Sequence, residues 1–225
     1  MIDLQPIYLT LQLAFCTTLI LLCLGLPLAY WLAFSKWKLK VIPEAVVSLP
    51  LVLPPSVLGF YLLLAFSPEN TFGKFLDQYF DLRLVFTFSG LVVASVLYSL
   101  PFMVHPIQNG LKLLSPSLME ASFLLGKSKT ETLFKVLIPN IKKSILTGIV
   151  LTFAHTIGEF GVVLMVGGSI PSETKVVSIA IYDEVQAMNY HNANVYAGIL
   201  FAFAFIVLLC VYTINHRFSK TSPLQ

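Results

Sequence analysis

The 225-residue chain is 57% hydrophobic and only 11% charged, with a net charge of +3 and a mean hydropathy of +0.85. Soluble domains are about half apolar and about a quarter charged, so this composition leaves too little polar surface to cover a soluble body. The small positive charge, with no basic stripe interleaved with aromatics, gives no ground for a nucleic-acid partner. An integral membrane protein is left, and the long apolar runs lead to the expectation that it is all-α.

The first apolar run, about 7–34, exceeds the roughly 20 residues a spanning helix needs. Nothing basic precedes it and it is too long for a secretory leader, so it reads as an uncleaved span with its N-terminus outside. Lys36, Lys38 and Lys40 follow directly, as after a helix whose end reaches the cytoplasm. The second run, about 45–66, carries Pro50, Pro54 and Pro55 near its middle, followed by Ser56. Each proline removes a backbone donor and clashes with the preceding turn. Lipid cannot satisfy the freed carbonyls, so a broken helix here is expected to face protein or a wet cavity, as in a transport pathway. The alternative is a plain kinked span packed among its neighbours.

Residues 67–83 mix charges with Phe72, Phe75, Tyr79 and Phe80, and suggest a short interfacial stretch. A third span is expected at about 84–104, with His105 and Pro106 at its polar end. A polar stretch follows at about 108–143, then a fourth span at 144–165, a loop at 167–194 and a fifth span at 195–214. With the N-terminus outside, eleven Lys and Arg fall on the inner face and only Lys74, Arg83 and Lys175 on the outer one. That bias puts the C-terminus and the polar stretch in the cytoplasm. Cys16, Cys23 and Cys210 sit in apolar runs without a CxxC or ligand cluster, and read as small packing residues.

The polar stretch holds two capping-box spacings, Ser117 with Glu120 and Ser128 with Glu131. Gly126 stands where a first helix would need a left-handed C′ residue. The expectation is a two-turn helix with Leu118, Met119, Ser122 and Leu125 on one face, a break at Gly126, and a second helix through Val136 that Pro139 ends. A mere connector lying on the bilayer surface is the alternative. Gly126-Lys127-Ser128 has the look of a phosphate-binding loop, but the glycine required five residues earlier is Ala121 and no strand precedes it. No ATP site is expected in this chain.

Glu120-Ala121-Ser122, Gly126, Val136 and Ile138-Pro139 resemble the cytoplasmic signature of bacterial ABC-importer permeases, with conservative departures at Ser122, Val136 and Ile138. Residues 49–56, 155–161 and 168–174 resemble the molybdate permease group and, more loosely, its sulfate relatives. One departure is His155, where relatives often carry Arg, so no fixed positive charge stands there. The resemblance implies a type I ABC importer permease fold of about five spans, with a coupling helix between spans 3 and 4. It also implies a homodimer, two cytoplasmic ABC ATPase subunits and an extracytoplasmic oxyanion-binding protein. ATP and Mg belong to the ATPase subunits, and no cofactor is expected on this chain. Ser117, Glu120, Ala121, Ser122, Gly126, Val136, Ile138 and Pro139 are then the ATPase-coupling candidates. The expected substrate is molybdate, with tungstate, sulfate or thiosulfate as alternatives, and the expected seat is the bacterial inner membrane.

Glu159 is the only acid well inside a predicted span, and a carboxylate there is costly enough to mark a functional candidate. An ionised Glu would repel an oxyanion, so Glu159 is either protonated or paired, and His155, one turn earlier, is the candidate partner. The pair is read as structural or gating, with Gly158 and Gly161 permitting close helix approach. The pathway or gate candidates are Pro50, Pro54, Pro55, Ser56, His155, Thr156, Gly158, Glu159 and Gly161. A stand-alone channel or secondary transporter would explain the broken second helix but not the capped cytoplasmic helices. An intramembrane enzyme lacks metal-ligand spacing around His105 or His155.

Overall fold

The computed structural model describes residues 3–220, and every regular element among them is helical. Helix α1 (Gln5–Phe34) begins with Pro6 in its first turn, where a missing N–H costs nothing, and carries Pro27 internally. A 3₁₀ turn (Lys38–Lys40) leads into α2 (Val41–Val52) and α3 (Pro55–Phe66). Leu53 and Pro54 between them are extended, with ψ of 135° and 136°, because each precedes a proline. The two helices diverge by 115°. Pro50 does not take part in this break and lies buried inside α2.

Helix α4 (Thr71–Phe80) falls within the stretch expected to be interfacial. Asn70 caps it, Asp81 closes it in the left-handed conformation, and Phe72, Phe75, Tyr79 and Phe80 are all exposed. Helix α5 (Phe88–Lys112) runs two turns beyond the expected polar end at His105-Pro106. Pro101 and Pro106 both lie within the helix, so neither ends it. Helix α5 packs along α1 and along α9 (Lys142–Ile157), and a buried cluster of Leu21, Leu32, Met103, Ile107, Leu137 and Ile141 joins these helices to the segment between α5 and α9.

That segment comprises α6 (Pro116–Leu124), α7 (Lys129–Thr132), a π turn (Leu133–Leu137) and α8 (Ile138–Asn140). Helix α9 (Lys142–Ile157) then departs at 76°. The expected fourth span at 144–165 is not one helix: it breaks over Gly158–Phe160 and resumes as α10 (Gly161–Gly167). The expected loop at 167–194 contains helix α11 (Val177–Gln186), and α12 (Tyr190–Lys220) starts five residues before the expected fifth span. Among the described residues three helices, α1, α5 and α12, are long and apolar enough to cross a membrane, or up to five segments if each bent pair is one span. Cys16 and Cys23 are free thiols, the side chain of Cys210 lies outside the described residues, and no cluster of metal-ligating side chains occurs among the described ones.

Candidate functional site: a cleft between two helix breaks

The two breaks meet. Helix α10 packs against α3, and a Cβ built on Gly161 would stand 2.7 Å from Pro55 Cβ and 3.2 Å from the Ser56 nitrogen. Only a residue without a side chain permits that approach. An open cleft of ≈ 610 Å³ results, lined by Pro55 and Ser56 of α3, Tyr98 of α5, and Ala154, His155, Gly158, Glu159, Phe160 and Gly161. Six sequence-derived pathway candidates therefore share one cavity wall. The other three do not: Pro50 is buried in α2, Pro54 is the hinge itself, and Thr156 turns into the core to bond Ser99 at 3.1 Å.

Glu159 sits in the break rather than on a continuous helix. Its backbone N–H closes a tight turn on the Thr156 carbonyl at 3.3 Å, and its own carbonyl accepts the Ser178 hydroxyl of α11 at 2.6 Å. The residue is only 4% exposed, yet neither carboxyl oxygen has a hydrogen-bond partner. Ser95 of α5, also unpartnered, neighbours it.

The expected His155–Glu159 pair is not formed. Helix α9 ends at Ile157, so the i, i+4 geometry is lost, and His155 Nε2 has no partner. The imidazole instead stacks on Phe102 at 3.9 Å and lies 4.9 Å from the Tyr98 ring. Gly158 is also not a close-approach residue, since nothing lies nearer than 3.8 Å to its would-be Cβ. Tyr98, Phe160 and Ser178 were not legible as site residues: each is an ordinary apolar or small residue in its run, and only the packing of α3, α5, α10 and α11 assigns it a place. No Lys or Arg stands among the lining residues of the cleft.

The coupling candidates expected from the sequence form a second unit. Gly126 has φ of +75°, its N–H donates to the Phe123 carbonyl at 2.9 Å, and Lys127 N–H donates to the Ser122 carbonyl at 3.1 Å. This is the Schellman closure expected at that glycine. Ser128 caps α7 through the Glu131 N–H at 3.2 Å. The return half of that box is absent, because the Glu131 carboxylate takes Lys135 at 2.7 Å and Lys127 at 2.9 Å. These two bonds, Lys135 first, hold its pKa down to about 2.

Ser117 is not an N-cap. Pro116 takes the first helical position, which moves the cap to Ser115, and the Ser117 hydroxyl pairs with that of Ser115 at 2.6 Å. Of the four residues expected on one face, Ser122 is buried against Thr132 at 2.8 Å and Met119 packs on the core, whereas Leu118 and Leu125 are exposed. Pro139 does not stop the second helix. It has no N–H for the turn behind it, the backbone widens to a π turn, and the Asn140 side-chain amide donates to the Val136 carbonyl at 2.7 Å. The change of direction comes at Ile141. Glu120, Ala121 and Pro139 are exposed, and Val136 and Ile138 half-buried.

Comparison with known proteins agrees with this architecture. The fold is shared with the MetNI methionine ABC transporter, at 17% identity and a TM-score of 0.74 over 95% of this chain and 94% of that one. It is shared also with a bacterial ABC transporter that imports alginate, at 16% identity and a TM-score of 0.76 over 97% and 79%. The molybdenum transport system permease protein ModB of Azotobacter vinelandii is 48% identical over 96% of this chain and 95% of its own length. The sulfate transport system permease protein CysT of Salmonella typhimurium is 31% identical over 94% and 76%. The family model of binding-protein-dependent transport system inner membrane components matches residues 25–219. With its helix-break cleft, its short helices between α5 and α9 and these matches, the chain belongs to that family of inner-membrane ABC-importer permeases.

Proposed function

We propose that this chain is the membrane subunit of an ATP-driven molybdate importer. As a homodimer it would form the translocation pathway, served by an extracytoplasmic oxyanion-binding protein and driven by two ATPase subunits. The observation that carries the substrate is the 48% identity, nearly end to end, to a molybdenum permease, against 31% to a sulfate permease. Sulfate or thiosulfate is the second reading, supported by that weaker relative, and tungstate shares the chemistry of the first. The cleft fits an oxyanion path: it is open, it offers the Ser56 hydroxyl, and it holds no cation that would trap the ion. Selectivity then rests with the delivery protein.

The ATPase is proposed to seat on the cytoplasmic helices. Phe123, Leu124, Leu125 and Phe134 are exposed on a segment otherwise rich in Ser, Thr, Glu and Lys, with Leu124 at 89% and Leu125 at 79%. Large apolar side chains left exposed on a polar segment are the mark of a partner surface. The N-terminus is proposed to face outward, on the lysine distribution.

The test is reconstitution with the ATPase and binding protein. Molybdate is expected to stimulate both ATP hydrolysis and uptake, and preferential stimulation by sulfate would move the reading to the second substrate. Glu120→Lys or Gly126→Pro is expected to abolish copurification of the ATPase. Transport by this chain alone in liposomes would instead make it a channel or secondary transporter. Glu159 is proposed as a gate residue held in the break, and Glu159→Gln with full uptake and full coupling would remove that role.

A further inference from the structure

A second cleft, of ≈ 530 Å³, opens between the end of α1 and the cytoplasmic helices, lined in part by Tyr30, Trp31, Lys36, Met119, Phe123 and Lys129. Its composition is unlike that of the transport cleft. One side is aromatic, with Tyr30 against Phe34 at 5.2 Å and Trp31 against Trp37 at 6.1 Å. The lining also carries two cations, Lys36 just beyond the end of α1 and Lys129 at the start of α7. Lys127 and Lys135 nearby are tied to Glu131, but Lys36 and Lys129 have no acidic partner among the described residues. Beyond the cleft, Lys36, Lys38 and Lys40 alternate with exposed Trp37, Leu39 and Val41, so this turn presents apolar and cationic groups together where a span ends.

Exposed tryptophans at the end of a spanning helix lie at headgroup level, and basic pockets there attract anionic phospholipids. We infer that this cleft holds the headgroup of an anionic phospholipid, its phosphate between Lys36 and Lys129 and its acyl chains along the aromatic flank of α1. The lipid bridges a membrane helix to Met119 and Phe123 of α6, and so ties lipid charge to the position of the helix that meets the ATPase. The inference goes beyond the transport reading and does not depend on its substrate.

Both tryptophans of the chain, Trp31 and Trp37, stand at this site, which makes fluorescence a local probe. The full chain is placed in phosphatidylcholine nanodiscs with a fixed minor fraction of dibrominated phosphatidylglycerol, then in discs with the bromine on phosphatidylcholine instead. Both leaflets carry the anionic lipid, so the result does not depend on which face is cytoplasmic. Brominated phosphatidylglycerol is expected to quench beyond its mole fraction. Each lysine contributes about a fivefold preference, so Lys36→Gln with Lys129→Gln is expected to reduce it by about 25-fold. Lys38→Gln with Lys40→Gln, outside the cleft lining, is expected to reduce it less.

Equal quenching by the two lipids in the unaltered chain would overturn the proposal. So would equal losses in the two double variants, which would mean a diffuse surface potential. Displacement by excess inorganic phosphate, but not by chloride at the same ionic strength, would make the occupant a free anion and also overturn it.

Discussion

Two glycines, Gly126 between α6 and α7 and Gly161 at the cleft between the helix breaks, are required for opposite reasons. Gly126 has φ of +75° and nothing within 4 Å of where a side chain would begin, so its demand is purely on the backbone. Gly161 has no positive φ, and its demand is space: Pro55 occupies the position of its absent Cβ. The Gly126 turn is closed by hydrogen bonds within its own stretch, Gly126 to Phe123 and Lys127 to Ser122. The cleft exists only because distant segments are pressed together. A substitution should be felt accordingly, through chain conformation at one site and through helix packing at the other.

The largest expected effect is at Gly161. Gly161→Ala is expected to destabilise by about 1–3 kcal/mol through overpacking, and to widen the contact of α3 with α10. Thermal unfolding of the detergent-solubilised protein checks it, and Gly158→Ala, with no neighbour nearer than 3.8 Å, should be close to neutral in the same assay. Equal losses at 158 and 161 would show that the cleft is not set by that contact.

Next comes Gly126→Val, expected to cost about 1–2 kcal/mol from the left-handed conformation alone. Gly126→Asn should recover most of it, since Asn tolerates that region. Failure of Asn to recover stability would mean that the turn is held by packing after all, and the contrast between the two glycines would collapse.

A smaller change is expected from Ser178→Ala, which removes the 2.6 Å bond to the Glu159 carbonyl. A lost hydrogen bond of this kind costs about 1 kcal/mol. The discriminating readout is amide exchange, which should rise at Glu159 and Phe160 before it rises in α9.

The smallest effect is the pH response of Glu131. Its folded pKa, about 2, lies below the ordinary 4.5, so its contribution is fully present above that ordinary value and is lost as pH falls through about 2. Between pH 5 and 8 the segment from α6 to α8 should show no response from this group. Carboxyl-carbon NMR of Glu131 reads the midpoint directly, and Lys135→Gln should raise it more than Lys127→Gln, because the Lys135 bond is the larger cause.

How much was legible follows the same division. The break at Leu53-Pro54-Pro55 was written in the sequence because a proline ring restricts both itself and the residue before it. The left-handed Gly126 and the Ser128 cap were also readable, since each depends on residues within one turn. The Ser117 box misled because Pro116 competes for the first helical position more strongly than a serine competes for the cap. Within the segment from α6 to α8 the Gly126 turn and the Ser128 cap could be read, but not the cap at Ser115, the exposure of Leu118 and Leu125, or the π turn before Pro139.

What the sequence determined by itself is the class of protein, the proline break and the capped turn, because hydrophobic length, ring geometry and glycine's freedom act without reference to distant residues. What only the tertiary structure decided is the second break at Gly158–Phe160 and the cavity it makes with Pro55 and Ser56. Nothing in His155-Thr156-Ile157-Gly158-Glu159 forbids a continuing helix, and the expected hydrogen-bonded pair assumed one. The chain turns there because Ser178 of α11 satisfies the Glu159 carbonyl and because α10 must lie flush against α3. Those partners stand 19 and about 100 residues away, where no local pattern can announce them.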